Sequence, residues 1–307
     1  MATYIVRRLL VGIPVIWGVA TIVFFLLRIL PGDPAQLMLQ GTGGNADQIA
    51  RLRHNLGLDQ PLLVQYEHYI TNALQGDLGT SLRTNIPVTQ EIRQQFPATL
   101  ELTAAGMLIA IVLGMTLGIV SAIWQHSALD SLATTVAMFG ICAPSFWLGL
   151  LLIFFFSFRL GWFPATGTWG LDHLVLPAIT LGLGAAAVIA RLVRSSMIEA
   201  LSQDFIMVAR AKGLSQAAVT LRHALKGALI PAVTLIGLQF GSLLGGAVII
   251  ETVFSRQGVG HLAVQSILAK DYTTVQGIVL FIAIAYVVVN LVVDLLYGFL
   301  DPRIRYA

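Results

Sequence analysis

The sequence predicts an all-α, polytopic membrane protein with six transmembrane helices and an extracytoplasmic helical cap inserted after the first. Three observations carry that prediction. Hydrophobic residues make up 57% of the 307-residue chain and charged residues only 11%, against roughly 25% charged in a water-soluble domain. The mean hydropathy is +0.83. Six stretches free of Asp, Glu, Lys and Arg run Leu9 to Leu27, Leu102 to Trp124, Ser131 to Phe158, Leu174 to Ala190, Gly227 to Ile250 and Val275 to Val293. A helix needs about 20 mostly apolar residues to cross the hydrocarbon layer. The chain length predicts one integral membrane domain without an appended catalytic domain.

The first stretch follows Arg7 and Arg8 as a secretory signal would. It is longer than a typical signal core and no small-x-small cleavage site follows, so it is expected to stay as the first span. Orientation follows from where Lys and Arg gather beside the spans. Arg7, Arg8, Arg191, Arg194, Arg210, Lys212, Arg222, Lys226, Arg303 and Arg305 fall on one side, and only Arg159, Arg256 and Lys270 in the short loops of the other. Both termini are therefore expected in the cytoplasm. The expected organisation is residues 1–30 as terminus and first span, 31–97 as cap, and 98–307 as a five-helix core with a cytoplasmic loop at 191–226.

Small residues spaced by four let helix backbones approach where lipid gives no hydrophobic drive. Gly114 with Gly118, and Gly237, Gly241 and Gly245 in succession, show that spacing. The contacts they serve lie either within one subunit or between subunits. Pro14, Pro144, Pro177 and Pro231 interrupt four spans, which a bundle or polar cavity tolerates better than a lone helix in lipid. In the cap, Leu62, Tyr66, Tyr69, Ile70 and Ala73 share a helical face after Pro61, a good helix start. The cap is either a docking surface for an external partner or a lid on the bundle.

The loop at 191–226 carries the densest punctuation. Ser196 and Glu199 have capping-box spacing, which predicts a helix start. Phe205 to Lys212 reads as a short helix with basic residues at its end, where they suit the helix dipole. Gly213 supplies the stop and Ser215 a fresh N-cap for a helix leading into the fifth span. A short helix between two hinges can seat in a cleft of a cytoplasmic protein; the alternative is a basic loop that only sets topology.

Here a resemblance enters. Asp204-Phe-Ile-Met-Val-Ala-Arg-Ala-Lys-Gly-Leu-Ser215, then Arg222-His-Ala-Leu and Leu229-Ile-Pro231, resembles the cytoplasmic coupling loop of peptide-importing ABC transporter permeases. The likeness continues through Leu30-Pro-Gly-Asp-Pro34, Leu56-Gly-Leu-Asp-Gln-Pro61, Gly76-Asp-Leu-Gly79, Gly237-Leu-Gln-Phe-Gly241, Asn290-Leu-Val-Val-Asp-Leu-Leu-Tyr297 and Asp301-Pro-Arg303. Length and motifs are most similar to the first permease of glutathione and dipeptide importers. The resemblance implies the type I ABC importer permease fold, in the bacterial cytoplasmic membrane. It also implies a second homologous permease subunit, two ATP-binding subunits inside and an extracytoplasmic substrate-binding protein. This chain would bind no cofactor, since ATP and magnesium would sit on the partner subunits. Phe205, Val208, Ala209, Arg210, Ala211, Lys212, Gly213, Leu214 and Ser215 would form the coupling helix and its stop. Two departures stand out: the Glu-Ala-Ala opening of other importers is absent at Met207, Val208 and Ala209, and Gln257 stands where relatives usually have proline.

Polar groups inside spans are expensive and so are candidate functional positions. Asn290, Asp294 and Tyr297 fall on one face of the last helix, a stripe for which a structural role, such as pairing with an arginine, is expected. Gln239 and Ser242 lie among the glycines of the fifth span and are candidates for lining the pathway. Cys142 stands alone, which excludes an intrachain disulfide and a Cys-based zinc cage. His126, His173 and His261 form no zinc-protease pair, and neither a GxSxG elbow nor a GxxxxGK[ST] loop occurs. Gly182-Leu-Gly184 lies within a span and is no dinucleotide loop. A net charge of +3 without a block of like charge gives no footprint for nucleic acid. A stand-alone secondary carrier is the rival class, yet the two halves lack the self-similarity such carriers show. An intramembrane enzyme is disfavoured because the spans hold no nucleophile-base or paired-carboxylate set. Nickel-chelate import is the alternative within the favoured class.

Overall fold

The computed structural model describes residues 2–29, 45–55 and 57–300. The runs Leu30-Pro-Gly-Asp-Pro34 and Asp301-Pro-Arg303, with Leu56 and Arg305, lie outside the described residues. Every named element among the described residues is helical. In chain order they are α1 (Ala2–Ile29), α2 (Ala46–Asn55), α3 (Leu62–Leu74), α4 (Val88–Ile123), α5 (Ala128–Cys142), α6 (Ser145–Leu152), α7 (Asp172–Leu201), α8 (Asp204–Ala211), α9 (Leu225–Val253), α10 (Val259–Leu268) and α11 (Tyr272–Leu300). Wider π turns, Ile153–Arg159 and Val219–Ala224, follow α6 and precede α9.

The chain divides into two compact units, Met1–Pro97 with Gln257–Val288, and Ala98–Arg256 with Val289–Ala307. In the first, Val88, Ile92, Val259, Ala263 and Ile278 form the core. The cap helix α3 lies on α1: Tyr69 stacks on Phe24, Tyr66 meets both Phe24 and Phe25, and the Tyr66 and Thr21 hydroxyls hydrogen-bond at 2.7 Å. Burial pushes the Tyr69 phenol up to about 12, so this contact stays neutral. Tyr66, Tyr69, Ile70 and Ala73 are partly buried, whereas Leu62 of the same predicted face is exposed. Asp271 caps α11 by accepting from the Thr274 N–H at 3.2 Å and the Thr274 hydroxyl at 2.8 Å. The same carboxylate accepts from the Ser81 hydroxyl at 2.6 Å and the Leu82 N–H at 3.1 Å, tying the turn before α4 to the start of α11.

In the second unit, α4 and α7 meet along a row of small residues. A Cβ on Gly114 would stand 2.8 Å from the Ala186 carbonyl oxygen, one on Gly118 2.7 Å from that of Ala190, and one on Gly182 2.5 Å from that of Gly106. Partners advance together along both helices, so α4 and α7 run parallel. Both also start at one end of this unit, where Arg256 bonds the Glu101 carboxylate and the Thr168 carbonyl. Both finish at the other, where Ser121, Asp130 and Arg194 meet. The chain from α4 to α7 must therefore return across the unit, and the pair α5–α6 with its π turn, bent by 108°, makes that crossing. With five single helices long and apolar enough to span, the bent pair brings the count among the described residues to six.

Several boundaries differ from the sequence expectation. The helix α4 begins at Val88, ahead of the apolar run expected from Leu102, and runs through Pro97, because Pro87 and the turn before it supply its start. The third span is two helices, broken at Ala143 and Pro144, since proline there removes a donor and disfavours helix for its predecessor. The helix α7 continues to Leu201, so 191–201 belongs to a helix and Ser196 caps nothing. Burial of Val193 and Met197 outweighs the local capping signal. Gly237 packs on Val293, but an added methyl on Gly245 would meet no atom within 4 Å, so that glycine serves no close contact among the described residues. Gly241 is buried.

Replacing Gly118 with leucine should cost about 1–3 kcal/mol through overpacking against a backbone oxygen that cannot retreat. Gly245→Ala should leave stability unchanged or raise it. Heating the detergent-purified protein and measuring the folded fraction compares the two.

Candidate functional site

The segment between α7 and α9 holds the predicted lever. Its helix α8 spans Asp204–Ala211, with Ile206 and Ala209 buried in the same core as Met197 at the end of α7 and Val219 and Ala224 at the approach to α9. Full burial of the isoleucine is worth about 2 kcal/mol, enough to fix which face turns inward. Phe205, Met207 and Val208 face outward, Met207 being 70% exposed. Arg210, Ala211, Lys212, Leu214 and Ser215 are also exposed. Ala209, which the resemblance placed among the residues seating in a partner, faces inward instead.

The stop is a Schellman turn. The Leu214 N–H reaches the Ala209 carbonyl at 3.4 Å and the Gly213 N–H reaches Arg210 at 2.9 Å, with Gly213 at φ +80°. Only glycine takes that conformation without strain. The Ser215 hydroxyl then accepts from the Ala218 N–H at 3.3 Å, and the chain passes through the π turn into α9. One short rigid rod is thus held by its inner face between two punctuated connections.

Near the end of α7, Arg194 grips Asp130 through both oxygens, Nε to Oδ1 at 2.8 Å and Nη2 to Oδ2 at 2.9 Å. The Ser121 hydroxyl donates to the same carboxylate and accepts from Arg194 Nε. The His126 N–H adds a bond at 3.0 Å. Three helices are therefore locked together shortly before α8. By sequence alone Arg194 is a topology marker and nothing more. The overlooked signal was Asp130 three residues after Ser127, which caps α5.

Gln239 and Ser242 line a cavity of about 290 Å³. Its other walls come from Gly140, Ala143 and Ser145 at the break in the third span and from Thr180 and Gly184 of α7. The break thus leaves helix-end backbone groups beside two polar side chains. At the opposite end of α7, Arg256 is fully buried, donating to the Thr168 carbonyl at 2.9 Å and to Glu101. The sequence pattern alone marks this residue only as a loop charge. Asn290 and Asp294 are half-buried on α11, and the Tyr297 side chain lies outside the described residues. No cluster of three or more His, Cys, Asp or Glu suited to a metal occurs among the described residues.

Residues 114–306 match the family described as binding-protein-dependent transport system inner membrane component, and residues 1–103 match its N-terminal counterpart. The chain belongs to this family. Over 306 residues, and the whole of both chains, it is 47% identical to the glutathione transport system permease protein GsiC of Salmonella typhimurium and 45% identical to that of Escherichia coli K12. A chain of the MetNI methionine ABC transporter, solved in inward-facing conformations, superposes with a TM-score of 0.60 at 18% identity, covering 68% of this chain and 96% of that one. A chain of an amino acid ABC transporter solved with histidines gives 0.53 at 18% identity, covering 70% and 94%. At that identity the likeness is one of fold: the type I importer permease. This is a multi-pass inner-membrane permease subunit of an ABC importer. It works with ATP-hydrolysing and substrate-binding subunits, and its own role is transport.

Asp130→Ala should destabilise this permease by about 2 kcal/mol, between the values for exposed and fully buried pairs, because Arg194 is left half-buried without its anion. Removing both partners in Asp130→Ala/Arg194→Ala should recover most of that loss. A double-mutant cycle on thermal unfolding measures the coupling.

Proposed function

We propose that this permease carries small peptides, such as dipeptides, oligopeptides or glutathione, into the cell by alternating access. It would do so paired with a second homologous permease, above two ATP-binding subunits that hold the ATP and magnesium. What supports the substrate class is the end-to-end similarity to glutathione permeases. An external binding protein would select the individual peptide. The orientation, with both termini in the cytoplasm, rests on the gathering of Lys and Arg beside the segment 191–226 and on an even number of crossings.

The single observation behind the mechanism is the outward apolar face of α8, Phe205, Met207 and Val208, on a helix whose inner face is embedded in the permease core. That face would seat in one ATPase subunit with Arg210, Lys212 and Leu214 around it. Closure of the ATPases on ATP would push α8. Because Ile206 and Ala209 share a core with the ends of α7 and α9, the push would tilt spans four and five together. Gln239 and Ser242, beside the break in the third span, would line the path that opens. The energy would come from the different affinities of the two ATPase states for the two permease conformations.

Gly213→Val should leave the subunit in the membrane but strain the left-handed stop by about 1–3 kcal/mol. The expected result is ATP hydrolysis without uptake, measured as labelled dipeptide or glutathione accumulation against phosphate release in proteoliposomes. Normal coupled uptake would contradict the lever.

A further inference from the structure

Between α4, α5 and α7, at the end where Ser121, Asp130 and Arg194 meet, lies an open groove of about 280 Å³. Leu117, Ala137 and Met138 give it apolar walls, and Arg191, Arg194 and Ser195 its polar end. The two arginines differ in electrostatic state. Asp130 cancels the charge of Arg194 through a two-point ion pair. Arg191, three residues earlier on α7, is exposed and makes no ion pair or hydrogen bond with any described residue. The apolar wall continues outward over Leu132, Val136 and Met138, all at least half exposed.

We propose that this groove binds one anionic phospholipid, with its headgroup phosphate on Arg191 and an acyl chain along the α5 wall. A single uncompensated cation at one end of an apolar channel complements an amphiphile with one negative headgroup. A free phosphate would gain nothing from the apolar wall, and a neutral lipid would leave the guanidinium without an anion. Because Arg191 lies in the last turns of α7, the lipid belongs to the cytoplasmic leaflet, a placement that rests on the orientation proposed above. Basic pockets between spans on that side suit anionic headgroups. Bound there, the lipid would brace the three helices that the Asp130–Arg194 pair locks just before the lever.

The test uses the assembled importer in phosphatidylcholine nanodiscs containing phosphatidylglycerol, released into detergent and weighed by native mass spectrometry. Wild type should retain phosphatidylglycerol, Arg191→Gln should bind it about fivefold more weakly, and Arg191→Lys should keep most of it. Equal retention by wild type and Arg191→Gln, or none by either, overturns the proposal. The leaflet is read separately by impermeant maleimide labelling of His126→Cys in a Cys142→Ala background in intact spheroplasts. Labelling there would overturn the orientation while leaving the lipid result to stand or fall by itself.

Discussion

The permease core depends on how closely α4 and α7 approach. Gly106, Ala110, Gly114 and Gly118 repeat at intervals of four, as do Ala178, Gly182, Ala186 and Ala190. An added Cβ at Gly114, Gly118 or Gly182 falls within 3 Å of a carbonyl oxygen of the other row, and one at Gly106 meets the Leu181 side chain at 3.2 Å. In lipid, such contact supplies dispersion and weak Cα–H···O attraction that side-chain burial from water cannot. The spacing also sets direction. Two parallel helices in contact oblige the chain between them to travel back across the unit, and that requirement gives the bent third span its role.

A broken helix in hydrocarbon leaves backbone donors and acceptors unpaired, and it survives only where protein or water surrounds the break. Here the break at Ala143 and Pro144 opens onto the cavity that Gln239 and Ser242 also line. The charged groups follow the same logic. Asp130–Arg194 and Arg256–Glu101 lie at opposite ends of the α4–α7 pair, where desolvation costs less than at mid-depth, and each joins segments far apart in sequence.

The short helix α8 is fixed to the permease core by its inner face. A left-handed glycine closes one end and a π turn leads into α9, and π-helical turns recur at functional bends. Ile206 and Ala209 of α8 share one cluster of buried side chains with the end of α7 and the approach to α9, so packing as well as the connecting loops ties the three together.

Composition and periodicity by themselves determined the helical class, the six spans, the short helix with its Gly213 stop and the Ser215 cap, because span length, charge placement and capping are local chemistry. Residues 204–215 and Gln239 with Ser242 were legible as candidates for the same reason. What only the tertiary structure decided depends on neighbours distant in the chain. Asp130, Arg194 and Arg256 became interhelical locks, Asp271 tied the turn before α4 to α11, Ala209 turned inward, and Ser196 was absorbed into a longer α7. Gly237 found Val293 while Gly245 found open space. A residue's type sets what it can bond or bury, but which partner lies within reach is settled by helices packing together across 64 residues of chain for Asp130 and Arg194 and 190 for Ser81 and Asp271.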